Sequence, residues 1–410
     1  MPLHSLLTPA HAPSSAPRSI RQATSRRRGR VALVTVAAVT LALVGASGPA
    51  VADDGNKGQR DGTTFKQVNL VSDIPGLAKL TDSDVVNPWG IDFGRGKSAT
   101  PLWVSNQGSN TLTLYRGATK ASPTVEKLGL VIKANSPTGM VFNPTEKFVI
   151  SQGGKKAPAR FLMNENVFNA DQTDATAQVT AWSNASAPPP PTTTVVKASV
   201  AHSTYAGLTI IPATHKRGPR LLAINDALGR IDVYDGKFRL LHLRSHAFVD
   251  PRAEADGLVP YNAAYLKGRV YVAYFGETNS GLSVFKTSGK FVKRLATSGA
   301  DGPLAAPWGL TFAPKHWGDF GGALLVGNVG DGKINAFNAR NGRHLGVLKD
   351  ANGEPLVNIG LWGLTFGNGV MGDRNTLLFA AGIGETPTDF GHFYEHGLIG
   401  AITPVDHAHR

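Results

Sequence analysis

The sequence predicts an all-β protein with the architecture of a six-bladed β-propeller, and three observations support this prediction. A short motif centred on a glycine recurs six times, and each copy is followed by apolar runs separated by turns. Glycine makes up 47 of the 410 residues without a collagen-like period, which is typical of many tight turns. After residue 52 no fifteen-residue window shows a convincing helical period.

The motif is strongest at Asn87–Ile91, Ala306–Leu310 and Gly360–Leu364, where a tryptophan precedes the glycine. Weaker copies lie at 136–140, 204–208 and 259–263. The glycine position falls at residues 90, 139, 207, 262, 309 and 363, with Asn262 as the exception, so one unit spans roughly sixty residues. Inner strands of a propeller crowd around the axis, and a residue without Cβ permits that close approach.

Each copy is followed by further predicted strands of the same unit. A short apolar run comes after a turn, and an alternating strand such as Thr111–Tyr115 or Arg230–Tyr234 then follows. The runs that predict second strands are Leu102–Val104, Phe148–Ile150, Leu221–Ile224, Val270–Val272, Leu324–Val326 and Leu377–Phe379.

The last unit supplies only three strands, predicted at 363–367, 377–383 and 398–403. An open ring would expose a sheet edge that pairs with other chains. The alternating segment Phe65–Val71 is therefore predicted to close the ring as the missing outer strand. The propeller is expected to span 63–405, with a solvated Pro/Thr-rich loop at 184–197 and a short tail at 406–410.

The first 52 residues have the pattern of a signal peptide. Six arginines and no acids occupy residues 1–30, and the apolar run Val31–Val44 is too short to span a bilayer comfortably. Ala50-Val51-Ala52 then forms a small-x-small cleavage site. We expect a secreted protein without a transmembrane anchor in the mature chain and with a flexible start at 53–62. Arg26–Arg28 leaves twin-arginine export open as an alternative.

Composition excludes several function classes. The absence of cysteine rules out disulfide scaffolds, zinc knuckles, iron–sulfur clusters and cysteine nucleophiles. Residues 53–410 carry an excess of seven positive charges, but their basic clusters are short and lack interleaved aromatics, so we expect no nucleic-acid partner. Neither a P-loop nor a Gly-x-Ser-x-Gly motif occurs.

Several segments resemble an uncharacterised family of secreted bacterial propeller proteins with Pro-Trp-Gly-Leu repeats. The resemblance rests on Asn69–Asp73, Asn87–Gly90, Gly229–Tyr234, Leu324–Phe337 and Gly360–Gly369. It implies an exported six-bladed ring similar to NHL-type and gluconolactonase-type propellers, and it implies no established activity. Residues 155–200 and 236–260 depart most from the pattern.

Propeller topology brings the starts of inner strands and the turns between second and third strands to one face. Trp89, Tyr261, Trp308 and Trp362 are therefore expected to cluster at one rim. An aromatic wall at a channel mouth is a plausible site for a small molecule, a glycan or a protein partner. The alternative interpretation is that the tryptophans only pack between blades.

The turns on that face carry oxygen donors at Asn106, Asp226, Glu277 and Asn328, which suit a hard cation such as Ca²⁺. In gluconolactonase-type rings a single ion held by such groups polarises an ester carbonyl and activates water. The resemblance therefore leaves a divalent-metal-dependent hydrolase or lyase acting in the central channel as the alternative to a binding protein. Turns also favour Asn and Asp for conformational reasons alone.

One further string, His-Phe-Tyr-Glu-His at 392–396, formally matches a zinc-peptidase pattern. That chemistry requires both histidines on one face of a helix. Gly391 and Gly397 bracket the string, so we predict a loop before the final strand.

Overall fold

The computed structural model describes residues 62–215, 217–299, 301–389 and 394–405. The predicted signal peptide at 1–52, nearly all of the predicted flexible start at 53–62 and the predicted tail at 406–410 lie outside these ranges. Within them, no helix has the length and apolar character needed to cross a membrane.

Six antiparallel sheets, the blades, follow one another along the chain. The chain opens with β1 (Phe65–Ser72) and β2 (Leu80–Thr81). Blade 1 contains β3 (Pro88–Asp92), β4 (Leu102–Asn106), β5 (Thr111–Gly117) and β6 (Val125–Lys127), with β7 (Ile132–Lys133) beside β5 and a 3-10 turn at Gly96–Ser98. Blade 2 contains β8 (Pro137–Phe142), β11 (Phe161–Phe168), β12 (Ala175–Trp182) and β13 (Thr194–Ala201), with a side hairpin of β9 (Val149–Gln152) and β10 (Lys155–Pro158).

The remaining blades follow the same order from axis to periphery. Blade 3 contains β14 (Tyr205–Ile211), β15 (Arg220–Asn225) and β16 (Arg230–Asp235). Blade 4 contains β17 (Val259–Leu266), β18 (Arg269–Phe275), β19 (Asn279–Lys286) and β20 (Phe291–Gly299). Blade 5 contains β21 (Pro307–Phe312), β22 (Leu324–Asn328), β23 (Ile334–Phe337) and β24 (His344–Val347). Blade 6 contains β25 (Leu361–Phe366), β26 (Leu377–Ala381) and β27 (Leu398–Pro404).

The N-terminal strand closes the ring, which confirms the prediction. β1 pairs antiparallel with β27 from Phe65 opposite Pro404 to Ser72 opposite Leu398. Blade 6 thereby gains its fourth strand, and β2 adds a short parallel edge to β1. Phe65, Leu70 and Val71 are buried by this pairing, so the closing strand contributes apolar area as well as hydrogen bonds.

The recurring glycines lie on the inner strands, where each strand abuts the next one around the axis. A Cβ added to Gly90 would lie 2.6 Å from the Thr138 carbonyl oxygen, and one added to Gly363 would lie 2.7 Å from the Trp89 carbonyl oxygen. The single exception, Asn262, donates from Nδ2 to the Trp308 carbonyl oxygen of the next blade at 2.7 Å. The recurring glycine therefore marks, in each blade, the point where the inner strand contacts the inner strand of the next blade.

Hydrophobic side chains fill the space between neighbouring blades. Six clusters of buried residues each combine two adjacent blades, and a seventh lies at the axis. Between blades 1 and 2, for example, Trp103 stacks on Phe161 at 4.1 Å between ring centroids and contacts Trp182 at 4.8 Å. Each blade thus buries its faces against its neighbours, as the repeat predicted.

Blade 2 differs from the prediction in two places. The run Phe148–Ile150 was expected to form its second strand, but 149–152 pairs with 155–158 in the side hairpin, and Phe161–Phe168 takes the second position. A short apolar run does not specify its partner, because periodicity alone cannot distinguish the two pairings. The final four residues of the predicted loop at 184–197 belong to β13, since a β-branched sequence favours extended backbone.

Candidate ligand-binding face

Three indole rings meet at the axis on the face where the inner strands begin. Trp89 on β3, Trp308 on β21 and Trp362 on β25 each precede the glycine that packs against the next blade. The rings of Trp89 and Trp362 stack with centroids 3.5 Å apart, and Trp308 meets them edge-on at 6.2 and 5.9 Å. The structure therefore brings together the tryptophans that the sequence predicted to cluster.

These indoles are closed off from solvent. Trp89 and Trp308 are each 5% exposed, and Trp362 is fully buried. The Nε1 of Trp362 donates to Asn87 Oδ1 at 3.0 Å, whereas the Nε1 atoms of Trp89 and Trp308 have no hydrogen-bond partner among the described residues. Axial packing accounts for all three rings, and contact with a ligand stays a prediction for them.

Two tyrosines border this axial cluster and remain partly open. Tyr261, the fourth residue of the predicted rim, packs against Trp362 at 5.9 Å and against Phe275 at 4.3 Å. Tyr394 stacks on Trp362 at 5.6 Å. The sequence analysis did not single out Tyr394, because it lies in a loop and outside the recurring motif. Tyr261 and Tyr394 are half-buried, whereas the three tryptophans are buried.

Asp226 lies in the turn after β15 and completes this group. Its Oδ1 accepts a hydrogen bond from the Thr204 hydroxyl at 3.0 Å. Burial raises the pKa of Asp226 to about 7, and the groups that lower this pKa are the Thr204 hydroxyl and backbone N–H groups, with no cation among the described residues. Burial, together with the nearby Tyr394 and Asp226, raises the pKa of Tyr261 well above its ordinary value. The carboxyl group of Asp226 therefore acts electrostatically on the Tyr261 phenol.

The turn that presents Asp226 is anchored by the residue before it. The Oδ1 of Asn225 accepts hydrogen bonds from the Ser203 hydroxyl and from the Leu228 N–H, and its Nδ2 donates to Asp232 at 2.9 Å. Such buried polar contacts hold the turn in one conformation. The position of Asp226 relative to the axis is thus fixed by the end of β15.

A buried polar residue recurs at this second-strand position. Opposite the start of the inner strand in four blades lie Asn106, Glu165, Asn225 and Asn328. Glu165 escaped the sequence analysis because its blade has an extra hairpin that shifts the spacing. The repeat thus places polar side chains inside the blades, next to the residues of the axis.

The four predicted metal ligands occupy different surroundings. Asn106 donates to the Thr113 hydroxyl of its own blade at 2.8 Å, Asn328 donates to the Pro303 carbonyl at 3.2 Å, and Glu277 is exposed in the turn after β18. The Oδ1 atoms of Asn106 and Asn328 are buried without a hydrogen-bond partner among the described residues. Across the described ranges, no group of three or more His, Cys, Asp or Glu residues is arranged to hold a metal ion. The calcium site stays a prediction.

The zinc-peptidase string is only partly described, because His392 lies outside the described residues. His396 and Asp73 form a hydrogen bond between Nδ1 and Oδ2 at 2.6 Å, and Asp73 Oδ1 accepts from the Gly397 N–H. Asp73 follows β1, so this pair ties the closing strand to the loop before β27. A structural role accounts for the described part of the string.

One cleft opens on the same face between blades 1 and 2. Its volume is about 450 Å³, within the range of about 300–1,000 Å³ that is typical of small-ligand sites. The turn after β4, the residues just before β8, the end of β11 and the turn that follows β11 line it. This cleft was not predicted, because its walls come from three separate segments of the chain.

Two viral proteins are similar in sequence to the chain. An uncharacterised protein of Acanthamoeba polyphaga mimivirus is 28% identical over 359 residues, which cover 83% of this chain and 80% of the viral protein. A second uncharacterised protein of the same virus is 29% identical over 325 residues, covering 73% and 78%. No protein-family model matches the chain. These relatives are viral, whereas the resemblance implied a bacterial family; the six-bladed ring that it implied is confirmed.

Among solved structures, similar chains include enzymes. The GH93 α-L-arabinofuranosidase of Fusarium graminearum aligns with a TM-score of 0.48 and 13% identity, over 83% of this chain and 98% of that chain. The PQQ-bound aldose sugar dehydrogenase of Streptomyces coelicolor aligns with a TM-score of 0.46 and 13% identity over the same shares. At these values neither activity bears on the chemistry of this chain.

Proposed function

We propose that the protein binds a small organic cation, such as an ammonium group, at the axial mouth formed by Asp226, Tyr261 and Tyr394. The observation that carries this proposal is a carboxyl group that acts electrostatically on the Tyr261 phenol and has no cationic partner among the described residues. Tyr261 and Tyr394 both pack on Trp362 next to it. The site lies on the predicted rim, and Tyr261 and Asp226 belong to the predicted set.

The carboxyl group supplies the charge. Removing an ionised carboxylate from water is costly unless a cation compensates it, and the raised pKa of Asp226 reflects that cost. A bound ammonium group would restore the ionised form. Binding of a cation and ionisation of Asp226 are therefore coupled, and affinity should rise as the pH increases through about 7.

The aromatic rings supply the shape. Cations are attracted to the faces of Tyr and Trp rings by about 0.5–2 kcal/mol, the larger values applying where the contact is desolvated. Tyr261 and Tyr394 both contact Trp362, so the two phenols border a common apolar floor. The buried indoles beneath them support this wall and are not themselves expected to touch the ligand.

The test uses two probes of equal shape, choline and the neutral alcohol 3,3-dimethylbutan-1-ol. Titration calorimetry at pH 8 should show choline binding with a dissociation constant below about 1 mM and at least tenfold weaker binding of the alcohol. Asp226→Asn should abolish the preference. Asp331→Asn, which changes an acid in the equivalent turn of blade 5, should preserve it. Equal binding of the two probes, or no choline binding by the wild type, would overturn the proposal.

The second candidate is a hydrolase or lyase of lactone-like substrates, and the pKa of Asp226 favours it. Burial raises the pKa of Asp226 while no cation compensates its charge, and a bound Ca²⁺ would return the carboxyl group to its ionised form. The unpartnered Oδ1 atoms of Asn106 and Asn328, together with Asp226 and Glu277, have the donor chemistry that Ca²⁺ prefers.

Two measurements distinguish this candidate from simple binding. Elemental analysis after dialysis should find stoichiometric calcium that is lost in Asp226→Ala and Asn328→Ala, and the protein should hydrolyse dihydrocoumarin in a calcium-dependent manner. A metal-free protein without a thermal shift on added Ca²⁺ and without hydrolysis would eliminate the metal-dependent enzyme. The choline titration is unaffected by that outcome.

We also propose that the chain is exported, on the basis of the arginine-rich start, the short apolar run and the Ala50-Val51-Ala52 site. N-terminal sequencing of the protein from the culture medium should begin at Asp53. Retention of the full chain inside the cell would contradict export.

A further inference from the structure

The cleft between blades 1 and 2 is lined mainly by carboxamide side chains. Five of its lining residues carry carboxamides, and the described residues that line it include no acid, no base and no histidine. The carboxamides belong to Gln107, Asn110, Asn135, Asn166 and Gln172. We infer that this cleft is a binding site for a neutral, hydroxyl-rich ligand, namely a saccharide. The inference is independent of the axial mouth and of the cation proposed there.

Three of the carboxamides are bonded to the protein at one end only. Asn110 accepts from the Ser136 N–H through Oδ1 at 2.7 Å, which leaves its Nδ2 donor without a partner among the described residues. Asn135 donates from Nδ2 to Glu165, and Gln172 donates from Nε2 to the Asn169 carbonyl, so both keep an acceptor oxygen. A sugar hydroxyl both donates and accepts, and it therefore matches an array that offers donors and acceptors together.

The polar groups of the cleft are held in place before any ligand arrives. Gln107 accepts from Asn87 Nδ2 at 2.9 Å and donates to the Ser136 hydroxyl at 2.7 Å. Asn166 is fixed by two hydrogen bonds to the backbone of Tyr205. Groups fixed in this way lose little conformational entropy on binding, which favours affinity for a small ligand.

The buried Glu165 helps to select against anionic ligands. Its Oε2 accepts from both the backbone N–H and the Nδ2 of Asn135, and its Oε1 accepts from the Thr180 and Thr193 hydroxyls. A carboxylate directly behind the lining disfavours an anion in the cleft. The acid is fully buried and both of its oxygens accept hydrogen bonds from the protein, so it forms no direct ion pair with a ligand in the cleft. A neutral ligand does not meet the repulsion that an anion meets.

The cleft also offers an apolar wall. Val167, the last residue but one of β11, is 38% exposed although the six residues before it are buried, and Phe168 beside it is half-buried. The C–H face of a pyranose packs on such aromatic and aliphatic surface while its hydroxyls point to polar groups. A saccharide needs both kinds of surface, because its hydroxyls bind polar groups and its C–H face packs on apolar groups. This need explains why the cleft has a polar wall and an apolar wall.

The test is saturation-transfer difference NMR with three neutral trisaccharides, maltotriose, cellotriose and N,N′,N″-triacetylchitotriose, and with the acidic trigalacturonate as the charged counterpart. At least one neutral trisaccharide should bind, and trigalacturonate should bind at least tenfold more weakly. Phe168→Leu, which removes the ring and keeps apolar volume, and Gln172→Ala should each weaken binding about three- to tenfold. The exposed carboxamide variant Asn352→Ala, outside the cleft, should bind as the wild type does.

The saccharide experiment can fail or succeed independently of the choline experiment at the axial mouth. Asp226→Asn should leave saccharide binding unchanged, and Gln172→Ala should leave choline binding unchanged. Because Gln172 is exposed, its variant should keep the wild-type melting temperature, so lost binding reports the cleft and not unfolding. No response from any neutral trisaccharide, stronger binding of trigalacturonate, or full affinity in both cleft variants would overturn the inference.

Discussion

Replacing Asp226 by Asn tests whether this carboxyl group is as unfavourably placed as the structure indicates. Burial raises its pKa from an ordinary value of 3.8 to about 7. Such a difference corresponds to about 4 kcal/mol between the neutral and ionised forms as an upper bound, and partial exposure reduces it to about 1–2 kcal/mol. Asn resembles the protonated acid in shape and carries no charge at any pH.

The sign of the effect follows from the raised pKa. The stabilising contribution of protonated Asp226 is complete below about pH 4 and is lost as the pH rises through about 7, because the unfolded chain ionises first. Compared with the wild type, Asp226→Asn should therefore gain about 1–2 kcal/mol in free energy of unfolding between pH 5 and pH 8.

Urea unfolding followed by tryptophan fluorescence at several pH values between 5 and 8 measures this gain. Asp331→Asn is the matched control, because Asp331 lies in the equivalent turn of blade 5 and, unlike Asp226, has a cationic partner, Lys333 at 3.4 Å. A constant difference between wild type and Asp226→Asn across this range would refute the reasoning. So would a variant that becomes less stable than the wild type as the pH rises.

Three further predictions concern the ring itself, and thermal or urea unfolding checks each. Gly363→Ala places a Cβ 2.7 Å from a neighbouring backbone oxygen and should lower the free energy of unfolding by about 2 kcal/mol. In the control Gly129→Ala the added Cβ lies in open space, and the free energy of unfolding should fall by less than about 0.5 kcal/mol. Equal effects would contradict the inner-ring packing. Deleting residues 63–72 removes β1 and should lower the melting temperature by about 10 °C or more, so an unchanged value would contradict closure by this strand. Ala306 has a φ of 47°, so Ala306→Gly should stabilise the folded protein by about 0.5–1 kcal/mol. Ala99 has a φ of −55°, so Ala99→Gly should destabilise it by a similar amount. Effects of the same sign in both variants would be inconsistent with left-handed strain at Ala306.

The sequence predicted the ring because its glycines report a backbone constraint. The residue that lies against the next inner strand must be small, so glycine recurs at this position of the motif. Asn262 is compatible with the position because its side-chain amide donates a hydrogen bond to the backbone of the neighbouring blade. The closing strand was predictable for a related reason, since the final unit lacks an outer strand. The side hairpin at 149–158 was not, because a short apolar run there competes with Phe161–Phe168 for the same position.

The candidate site was predictable only in part. Trp89, Trp308 and Trp362 meet as expected, but their burial depends on the packing of all six inner strands. Tyr394 lies in a loop that no periodicity marks. The effect of Asp226 on the pKa of Tyr261 acts between two different blades, which no local pattern encodes.

Carbon-13 NMR of the Asp226 carboxyl group, assigned by its loss in Asp226→Asn, tests the proposed cation site most directly. Titration of the free protein should give a pKa of about 7, and saturating choline should lower this pKa by at least one unit because a bound cation favours the ionised form. A free pKa near 4, or a value that choline leaves unchanged, would contradict the account.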